Sequence, residues 1–249
     1  MAGHSKWASI KHKKAIVDSR RGQAFTKLAR AIAVAAREGG GDISANASLG
    51  LAVQKAKDAS MPKDNIERAI ARGTGEGADL DAIQAVMYEG YGPGGVALLV
   101  EALSDNRNRT GANMRHAFMK AGSSLGEPGS VAYLFDKKGV ATIDGEKYSE
   151  DDLLGAIEAG AEDVVVEDEI IEVICEPQSL SEVRAALEAD EIEIQNVGLQ
   201  FRPKVRTAID EDQARALMKL IDVLESDDDV NEVHANFDID DDVLERVMG

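Results

Sequence analysis

Residues 139–202 read GVATIDGEKYSEDDLLGAIEAGAEDVVVEDEIIEVICEPQSLSEVRAALEADEIEIQNVGLQFR. Four apolar runs in this stretch have the length and composition of strands, namely VATI, DVVVED, EIIEVICEP and EIEIQNVGLQF. Two segments with helical spacing, SEDDLLGAIEAG and SLSEVRAALEAD, alternate with them in the order βαββαβ. This order is typical of a ferredoxin-like unit, in which two helices cover one face of an antiparallel sheet. The stretch therefore predicts an α+β fold class.

The segments on either side of this unit are each incomplete. Residues 79–130 contain two or three strands and one helix, and the tail contains the helix DEDQARALMKLIDVLESDD and the strand VNEVHANFDI. One helix and one strand cannot bury their apolar faces alone. We therefore expect the tail to complete the earlier block, so that residues 136–203 are inserted in a discontinuous middle α/β domain made of residues 77–135 and 204–249.

Residues 1–76 predict a basic arm followed by a small helical domain. Phe25, Leu28 and Ile32 lie on one face of an amphipathic helix that ends at a run of three glycines. Asn46 and Pro62 mark the starts of two further helices, and the linker GTGEG closes the domain. The predicted architecture is an N-terminal three-helix domain followed by two α/β domains, the last one ferredoxin-like and inserted in the middle domain.

Positive charge is concentrated at the beginning of the chain. The stretch from Gly3 to Arg37 contains nine Lys or Arg residues and one acid, Asp18, and has a formal charge of +8. The whole chain carries −18, so the residues after Arg37 carry −26. Segregation of this kind indicates a chain that meets a polyanion at one end and repels it elsewhere. The alternative is that these Lys and Arg residues form a solvated charged face without a partner.

The predicted nucleic-acid contacts follow from this segregation. At 100° per residue, four basic residues lie opposite the apolar face of the first helix, where we expect them to be free for solvent or phosphate. They are Arg20, Lys27, Arg30 and Arg37. Trp7 can stack on an unpaired base or anchor the arm to the first domain, and these alternatives stay open. The candidate residues in this region are Lys6, Trp7, Lys11, His12, Lys13, Lys14, Arg20, Arg21, Lys27, Arg30 and Arg37.

The motif DNRNRT supplies a second candidate contact. Asp105 or Asn106 can cap the helix that follows, which would hold Arg107 and Arg109 at its N-terminus beside exposed amides. That position suits an anionic ligand. A second glycine-rich motif, GYGPGG, lacks the Lys-Ser/Thr of a phosphate loop and precedes a strand, so it is interpreted as a structural turn.

The sequence favours binding rather than catalysis. It contains no Ser-His-Asp, HExxH or nucleotide-binding fingerprint, so we expect neither an enzyme nor a small-molecule substrate, metal or cofactor. Acidic runs such as residues 227–229 are interpreted as solvated surface. The lone Cys175 lies in an apolar strand and is expected to be a buried thiol. With no long apolar run and no secretory signal, we expect a cytoplasmic protein without a membrane partner.

Several motifs resemble the YebC/PmpR family, whose mitochondrial relatives are translational activators of cytochrome c oxidase. They are GHSKWASIKHKK, the FTKLAR helix, MPKDNIERAI with RGTGE, YEGYGPGG, DNRNRT and GSVAYLF, in this order. Ser9 and Lys13 stand where other family members often carry Asn and Arg, and both changes keep polarity or charge. The resemblance implies a helical N-terminal domain followed by two α/β domains and a non-enzymatic regulator of gene expression.

Two functions are consistent with the sequence. Family members are usually described as DNA-binding transcriptional regulators, and others resemble ribosome-associated factors that relieve stalled translation by binding ribosomal RNA. A recognition helix with base-reading residues at its start is not evident, and RNA recognition by shape needs none. The expected partner is therefore nucleic acid, either DNA or ribosomal RNA on the ribosome.

Overall fold

The computed structural model describes residues 21–75, 83–167 and 169–248. These residues belong to two compact units, each assembled from separate parts of the chain. The first unit contains residues 134–206 and 238–248, and the second contains the described residues up to Tyr133 together with Thr207–Phe237.

Three helices form the N-terminal part of the second unit: α1 (Arg21–Gly39), α2 (Ala47–Asp58) and α3 (Lys63–Gly73). Their shared core is built around Ile32, Leu49 and Ile66, against which the partly buried Phe25 and Leu28 pack. The apolar face predicted for the first helix is thus the face that enters the core.

Asn46 starts α2 as predicted and also ties that helix to α1. Its side-chain oxygen accepts a hydrogen bond from the Leu49 backbone, which satisfies one of the unpaired amides at the helix N-terminus. Its amide nitrogen donates to the carbonyl oxygens of Ala35 and Gly40, both at 2.8 Å. This buried side chain therefore uses both ends of its amide and fixes the turn between the two helices.

The second unit also contains a four-stranded antiparallel sheet of order β3-β1-β2-β9. The helices α4 and α7 pack against this sheet and against each other. The apolar strand β2 is almost fully buried. Strand β9 pairs with it in antiparallel fashion, with Leu98 opposite Ala235. The tail thus supplies both a strand and a helix to the middle block. The bounds are β1 (Gln84–Tyr91), β2 (Ala97–Ser104), α4 (Arg107–Lys120), β3 (Ser124–Leu125), β8 (Thr207–Ala208), α7 (Glu211–Glu225) and β9 (Val230–Ala235).

The glycine-rich motif GYGPGG is the turn between β1 and β2. A short 3-10 helix spans Pro93–Gly95, and Gly94 and Gly95 have φ values of 73° and 75°. Residues with a side chain rarely adopt this conformation, so the glycines serve the turn. This agrees with the interpretation of the motif as structural.

A buried carboxylate organises the loop after β3. Glu89 is 6% exposed and accepts hydrogen bonds from the backbone amides of Gly129, Val131 and Ala132 at 2.6, 2.7 and 2.8 Å. Burial raises the pKa of Glu89, but the three amide donors outweigh it and leave that pKa below its usual value. The charged form of Glu89 therefore holds this loop against the sheet.

The first unit contains the predicted ferredoxin-like fold, which is confirmed. Its four strands are antiparallel and lie in the order β5-β6-β4-β7 across the sheet. Numbered by their order along the chain within this unit, the strands therefore lie in the order 2-3-1-4. Cys175 lies in this core, is fully buried, and has its pKa raised by that burial. The elements are β4 (Phe135–Asp144), a 3-10 turn (Glu150–Leu153), α5 (Leu154–Glu158), β5 (Ala161–Glu167), β6 (Ile170–Cys175), α6 (Leu180–Ala189) and β7 (Ile194–Pro203).

The last elements are β10 (Phe237–Asp238) and α8 (Asp241–Met248). Residues 238–248 belong to the unit that contains the ferredoxin-like sheet, whereas the sequence assigned them to the middle domain. The α+β class is confirmed, and the three domain boundaries stay a prediction. Within the described ranges, no helix is both long and apolar enough to span a membrane.

Candidate nucleic-acid interface

The side of α1 opposite its core face contacts the middle block. The Arg30 guanidinium Nη1 lies 2.5 Å from Oδ1 of Asp229 and 2.9 Å from the carbonyl oxygen of Asp228. The Arg30 side chain is 19% exposed and that of Asp229 only 4%. Lys27 Nζ donates to the carbonyl oxygen of Glu225 at 2.6 Å. The expectation that this face is free is therefore wrong at Lys27 and Arg30.

Asp229 joins α1 to α4 through one carboxylate. Its Oδ2 accepts hydrogen bonds from Thr110 Oγ1 at 2.6 Å and from Arg109 Nη2 at 3.0 Å, while Oδ1 accepts from Arg30. Arg109 also pairs with Asp105 on its exposed side. We refer to Asp229, Arg30, Arg109 and Thr110 as the Asp229 cluster. The interpretation of residues 227–229 as solvated surface is therefore wrong at Asp229.

The Asp229 cluster contains two opposite influences on the acidity of its carboxyl group. Burial raises the pKa of Asp229, and hydrogen bonds from Thr110, Arg30 and Arg109, with the nearby Arg30 charge, lower it further than burial raises it. The resulting pKa lies below its usual value, so the carboxylate is charged at neutral pH. Arg30 and Arg109 are consequently neutralised in part by a protein group, which leaves less of their charge for phosphate.

The start of α4 has the helix cap that the DNRNRT motif predicted. Asn106 caps the helix by accepting a hydrogen bond from the Arg109 amide at 3.1 Å. Tyr88 on β1 donates its hydroxyl proton to the carbonyl oxygen of Arg107 at 3.3 Å. The Arg107 side chain is exposed, whereas that of Arg109 pairs with Asp229.

The structure separates the predicted contacts into three groups. Arg30 and Arg109 are brought together at Asp229, and Lys27 is bonded to the Glu225 carbonyl oxygen. Arg37 and Arg107 are exposed, and Arg21 begins α1. The remaining candidates, Lys6, Trp7, Lys11, His12, Lys13, Lys14 and Arg20, lie outside the described residues.

Sequence reasoning missed Arg115, an exposed residue two turns after Arg107 on α4. Its spacing of eight residues from Arg107, with Gly111 midway, was a signal that a helical projection could have detected. It also missed Asp229 and Thr110. Nothing in the run of three aspartates indicates that Asp229 is the one that is buried, and nothing in the first turn of α4 indicates that Thr110 binds a carboxylate.

One group of side chains has the composition of a metal site. Glu101, Glu232 and His234 offer ligand atoms within 4.8 Å of one another on the neighbouring strands β2 and β9. His234 Nε2 lies 3.8 Å from Glu101 Oε1, the distance of an ion pair when the imidazole is protonated. We assign no metal to this group.

The fold and charge distribution define a class of protein before any relative is considered: a mixed α+β chain whose basic helical domain precedes two sheet-containing parts. The family description "TACO1/YebC protein N-terminal domain" matches residues 5–76, and "TACO1/YebC second and third domain" matches residues 83–237. These matches cover most of the chain, which belongs to the TACO1/YebC family.

Individual relatives agree with this assignment. A "Probable transcriptional regulatory protein" of Maridesulfovibrio salexigens is 55% identical over 245 residues, covering 98% of this chain and 98% of its own. A protein of the same name from Thermobifida fusca is 51% identical over 248 residues, covering 99% and 100%. A crystal structure of a conserved hypothetical protein from Aquifex aeolicus has a TM-score of 0.86 and 45% identity, covering 95% of this chain and 98% of that one.

Proposed function

We propose that this chain is a nucleic-acid-binding regulator of gene expression that acts by binding rather than by catalysis. The observation that carries the proposal is charge segregation: +8 between Gly3 and Arg37 in a chain of −18. A basic segment attached to an acidic body is attracted to a polyphosphate over a limited region only. The body then limits how far the contact can spread.

Regulation of transcription through DNA is the function that relatives support most directly. Curated proteins at least half identical over nearly the full length are named probable transcriptional regulatory proteins. On this proposal, the basic arm and α1 supply the affinity and the middle block supplies further contacts. The protein needs no cofactor for this role.

A translation factor that binds ribosomal RNA is the second candidate. The observation that favours it is that basic side chains of α1 are already engaged within the protein. Two of the basic side chains of α1, those of Lys27 and Arg30, contact Glu225 and Asp229 and are therefore not free to enter a major groove. Recognition of RNA by shape and backbone contacts does not require an open recognition helix.

The test compares the two polymers directly. Binding of the full chain to a random-sequence DNA duplex, an operator-length promoter fragment and a ribosomal RNA fragment is measured by fluorescence anisotropy over a series of salt concentrations. Lysates are separated on sucrose gradients at low and high salt. Sequence-selective duplex binding without ribosome association supports transcription, whereas salt-sensitive comigration with ribosomes and weak duplex binding supports translation.

A charge-reversal variant tests the basic segment itself. Changing Lys11, Lys13 and Lys14 to Glu should abolish binding, because each change removes a positive charge that attracts phosphate and adds a negative one that repels it. The salt dependence of any remaining binding should also be smaller, since fewer phosphates are contacted. The matched control changes Lys137, Lys147 and Lys219 to Glu, which are exposed residues of the acidic remainder. Both variants lose the same net charge. Equal binding by the two variants would refute the role of the basic segment.

A further inference from the structure

We propose that strand β5 binds a basic, extended protein segment, which pairs with it as an additional strand of the ferredoxin-like sheet. The site consists of the backbone of residues 164–166 together with the exposed side chains of Val166, Leu154 and Ile157. We refer to it as the β5 edge. This inference goes beyond the proposed function, because the ligand is a polypeptide rather than DNA or RNA.

The outer side of β5 is open to another strand. Strand β5 is at the end of the sheet order and, among the described strands, pairs with β6 alone. Proteins commonly block such an edge with charged residues, proline or a β-bulge. In β5 a bulge and two acids, Glu162 and Asp163, occupy the beginning, and Glu167 ends the strand. The three consecutive valines between these acids have none of the blocking features.

The opposite edge of the same sheet is formed by β7 and has a different composition. Strand β7 ends in a proline, which has no amide proton for a ladder of hydrogen bonds. Its polar and charged side chains also discourage pairing with a further strand. They are Gln195, Asn196, Gln200 and Arg202. Of these two edges, β5 is therefore the one suited to strand addition.

Val166 lies on the side of the sheet that the helices cover. A β-carbon on Gly139 would lie 3.0 Å from the Leu180 side chain of α6, which places Gly139 on that side. Its cross-strand partner Cys175 shares this side, and so does Ile171, because the side chains of a strand alternate. Val166 is opposite Ile171 on β6 and therefore points to the same side. The helix α5 packs against β5 and α6.

Exposed apolar side chains accompany this open edge. Leu154 is 62% exposed, Ile157 46% and Val166 51%. Leu154 and Ile157 are three residues apart and share one face of α5, which a two-residue turn joins to β5. Strand-addition sites combine main-chain hydrogen bonds with contacts to alternate side chains of the bound peptide. In a strand added to β5, every second side chain would lie on the helix-covered side, where apolar residues suit these neighbours.

The charge around the β5 edge indicates that the ligand is basic. Residues 144–169 contain 11 acidic side chains and one basic side chain, which gives a formal charge of −10. Glu158 and Asp163 are exposed beside the apolar side chains. Lys138 pairs with Glu162 at 2.7 Å, which offsets only a small part of this charge. A Lys or Arg opposite Asp163 on the added strand would form a favourable cross-strand pair.

The same charge disfavours two other ligands. A second copy of the chain would bring its own acids against those of the first, and like charges opposite each other destabilise a sheet. A polyphosphate would be repelled over the whole acidic segment. A segment in which Lys or Arg alternates with apolar residues matches both the charge and the exposed apolar side chains.

The experiment measures binding of the full chain to fluorescent seven-residue peptides, equal to β5 in length, by fluorescence anisotropy. The probe alternates Lys and Val and should bind saturably. One control peptide has Glu in place of Lys, and a second keeps Lys and Val but has an N-methyl group on every backbone nitrogen, which removes the hydrogen-bond donors and retains the charge. Both controls should bind at least about tenfold more weakly. Equal binding of the N-methylated peptide, or no binding of the probe, would overturn the proposal.

A pair of variants tests the apolar side chains. Leu154→Asn with Ile157→Asn should weaken binding of the probe about tenfold or more. Both residues are exposed, so the circular dichroism spectrum should stay native. The matched control, Met119→Asn with Val223→Asn, removes two exposed apolar side chains from the other unit and should bind like wild type. Wild-type affinity in the Leu154 and Ile157 variant would contradict the proposed site.

Hydrogen exchange locates the bound peptide. Those amides of residues 164–166 that face away from β6 should exchange more slowly in the complex, while the amides of β7 keep their rates. Slower exchange in β7 and not in β5 would place the peptide at the wrong edge and refute the proposal. Sedimentation equilibrium of the chain alone tests the competing ligand. A dimer that is abolished by Leu154→Asn with Ile157→Asn would show that a second copy occupies the β5 edge instead.

Discussion

Asp229→Ala tests whether one buried carboxylate joins the N-terminal helices to the middle block. The variant removes the acceptor of Arg30, Arg109 and Thr110. Breaking a buried ion pair from one side usually costs about 3 to 5 kcal/mol. The cost here should lie near the lower end, about 3 kcal/mol, because each partner keeps another acceptor. Arg30 retains the Asp228 carbonyl, Arg109 retains Asp105, and Thr110 retains the Asn106 carbonyl.

Urea denaturation followed by circular dichroism measures this loss as a lower midpoint at constant slope. Asp105→Ala is the matched control, because it removes an exposed carboxylate from the same arginine, Arg109. Water screens exposed pairs of this kind, so this variant should shift the midpoint far less than Asp229→Ala. A double-mutant cycle with Arg30→Ala should give a coupling energy of about 1 to 3 kcal/mol. Additive effects, within about 0.5 kcal/mol, would refute the pairing.

The pH dependence has a defined sign. The pKa of Asp229 in the folded protein lies below its usual value, so its contribution is complete above the unfolded pKa of about 3.9 and declines as pH falls through the folded value. The stability difference between wild type and Asp229→Ala should therefore be constant from about pH 7 to pH 5 and should narrow below about pH 4. A difference that widened towards low pH would contradict a charged carboxylate.

Three further outcomes are expected. Glu89→Gln should destabilise the protein by about 2 kcal/mol and increase proteolysis after β3, because three backbone amides lose a charged acceptor; unchanged cleavage would contradict the role of Glu89. Gly73→Ala should lower the free energy of unfolding by about 1 to 3 kcal/mol in urea denaturation, because its β-carbon would lie 2.3 Å from the Ala33 carbonyl oxygen. The control Gly22→Ala should leave the free energy of unfolding unchanged or higher, because a β-carbon there meets open space. Cys175 should react with a thiol reagent only in denaturant, since it is fully buried and its pKa is raised; fast labelling of the native protein would show that this strand opens.

The fold was predictable where it depends on the spacing of apolar residues and on the need of every helix and strand to bury its apolar face. The βαββαβ rhythm of residues 139–202 predicted the sheet order through a known packing rule, and the lone helix and strand of the tail required a partner sheet. The cap at Asn46 was predictable because it depends on neighbouring residues only. The assignment of residues 238–248 depends on tertiary packing, which local patterns do not contain.

The candidate site was less predictable because its key pairing is distant in sequence. Arg30 and Asp229 are 199 positions apart, and a helical projection shows Arg30 only as one more cation on a polar face. Likewise, a run of three aspartates does not indicate which member is buried. The spacing of Arg107 and Arg115 predicts that both lie on one side of a helix. Whether either side chain forms an ion pair depends on residues that are distant in sequence, so it could not be predicted.

The pairing of β2 with β9 sets an order of assembly during synthesis. Leu98 pairs with Ala235, 137 residues later, which at ribosomal rates corresponds to roughly 7 to 30 s of elongation. The ferredoxin-like sheet uses contiguous residues 135–203, so all its strands have been made before β9 exists. Until then, one edge of the buried strand β2 is an open template for pairing with other chains. A nascent chain that pauses between these two segments therefore keeps this strand edge unpaired for the length of the pause.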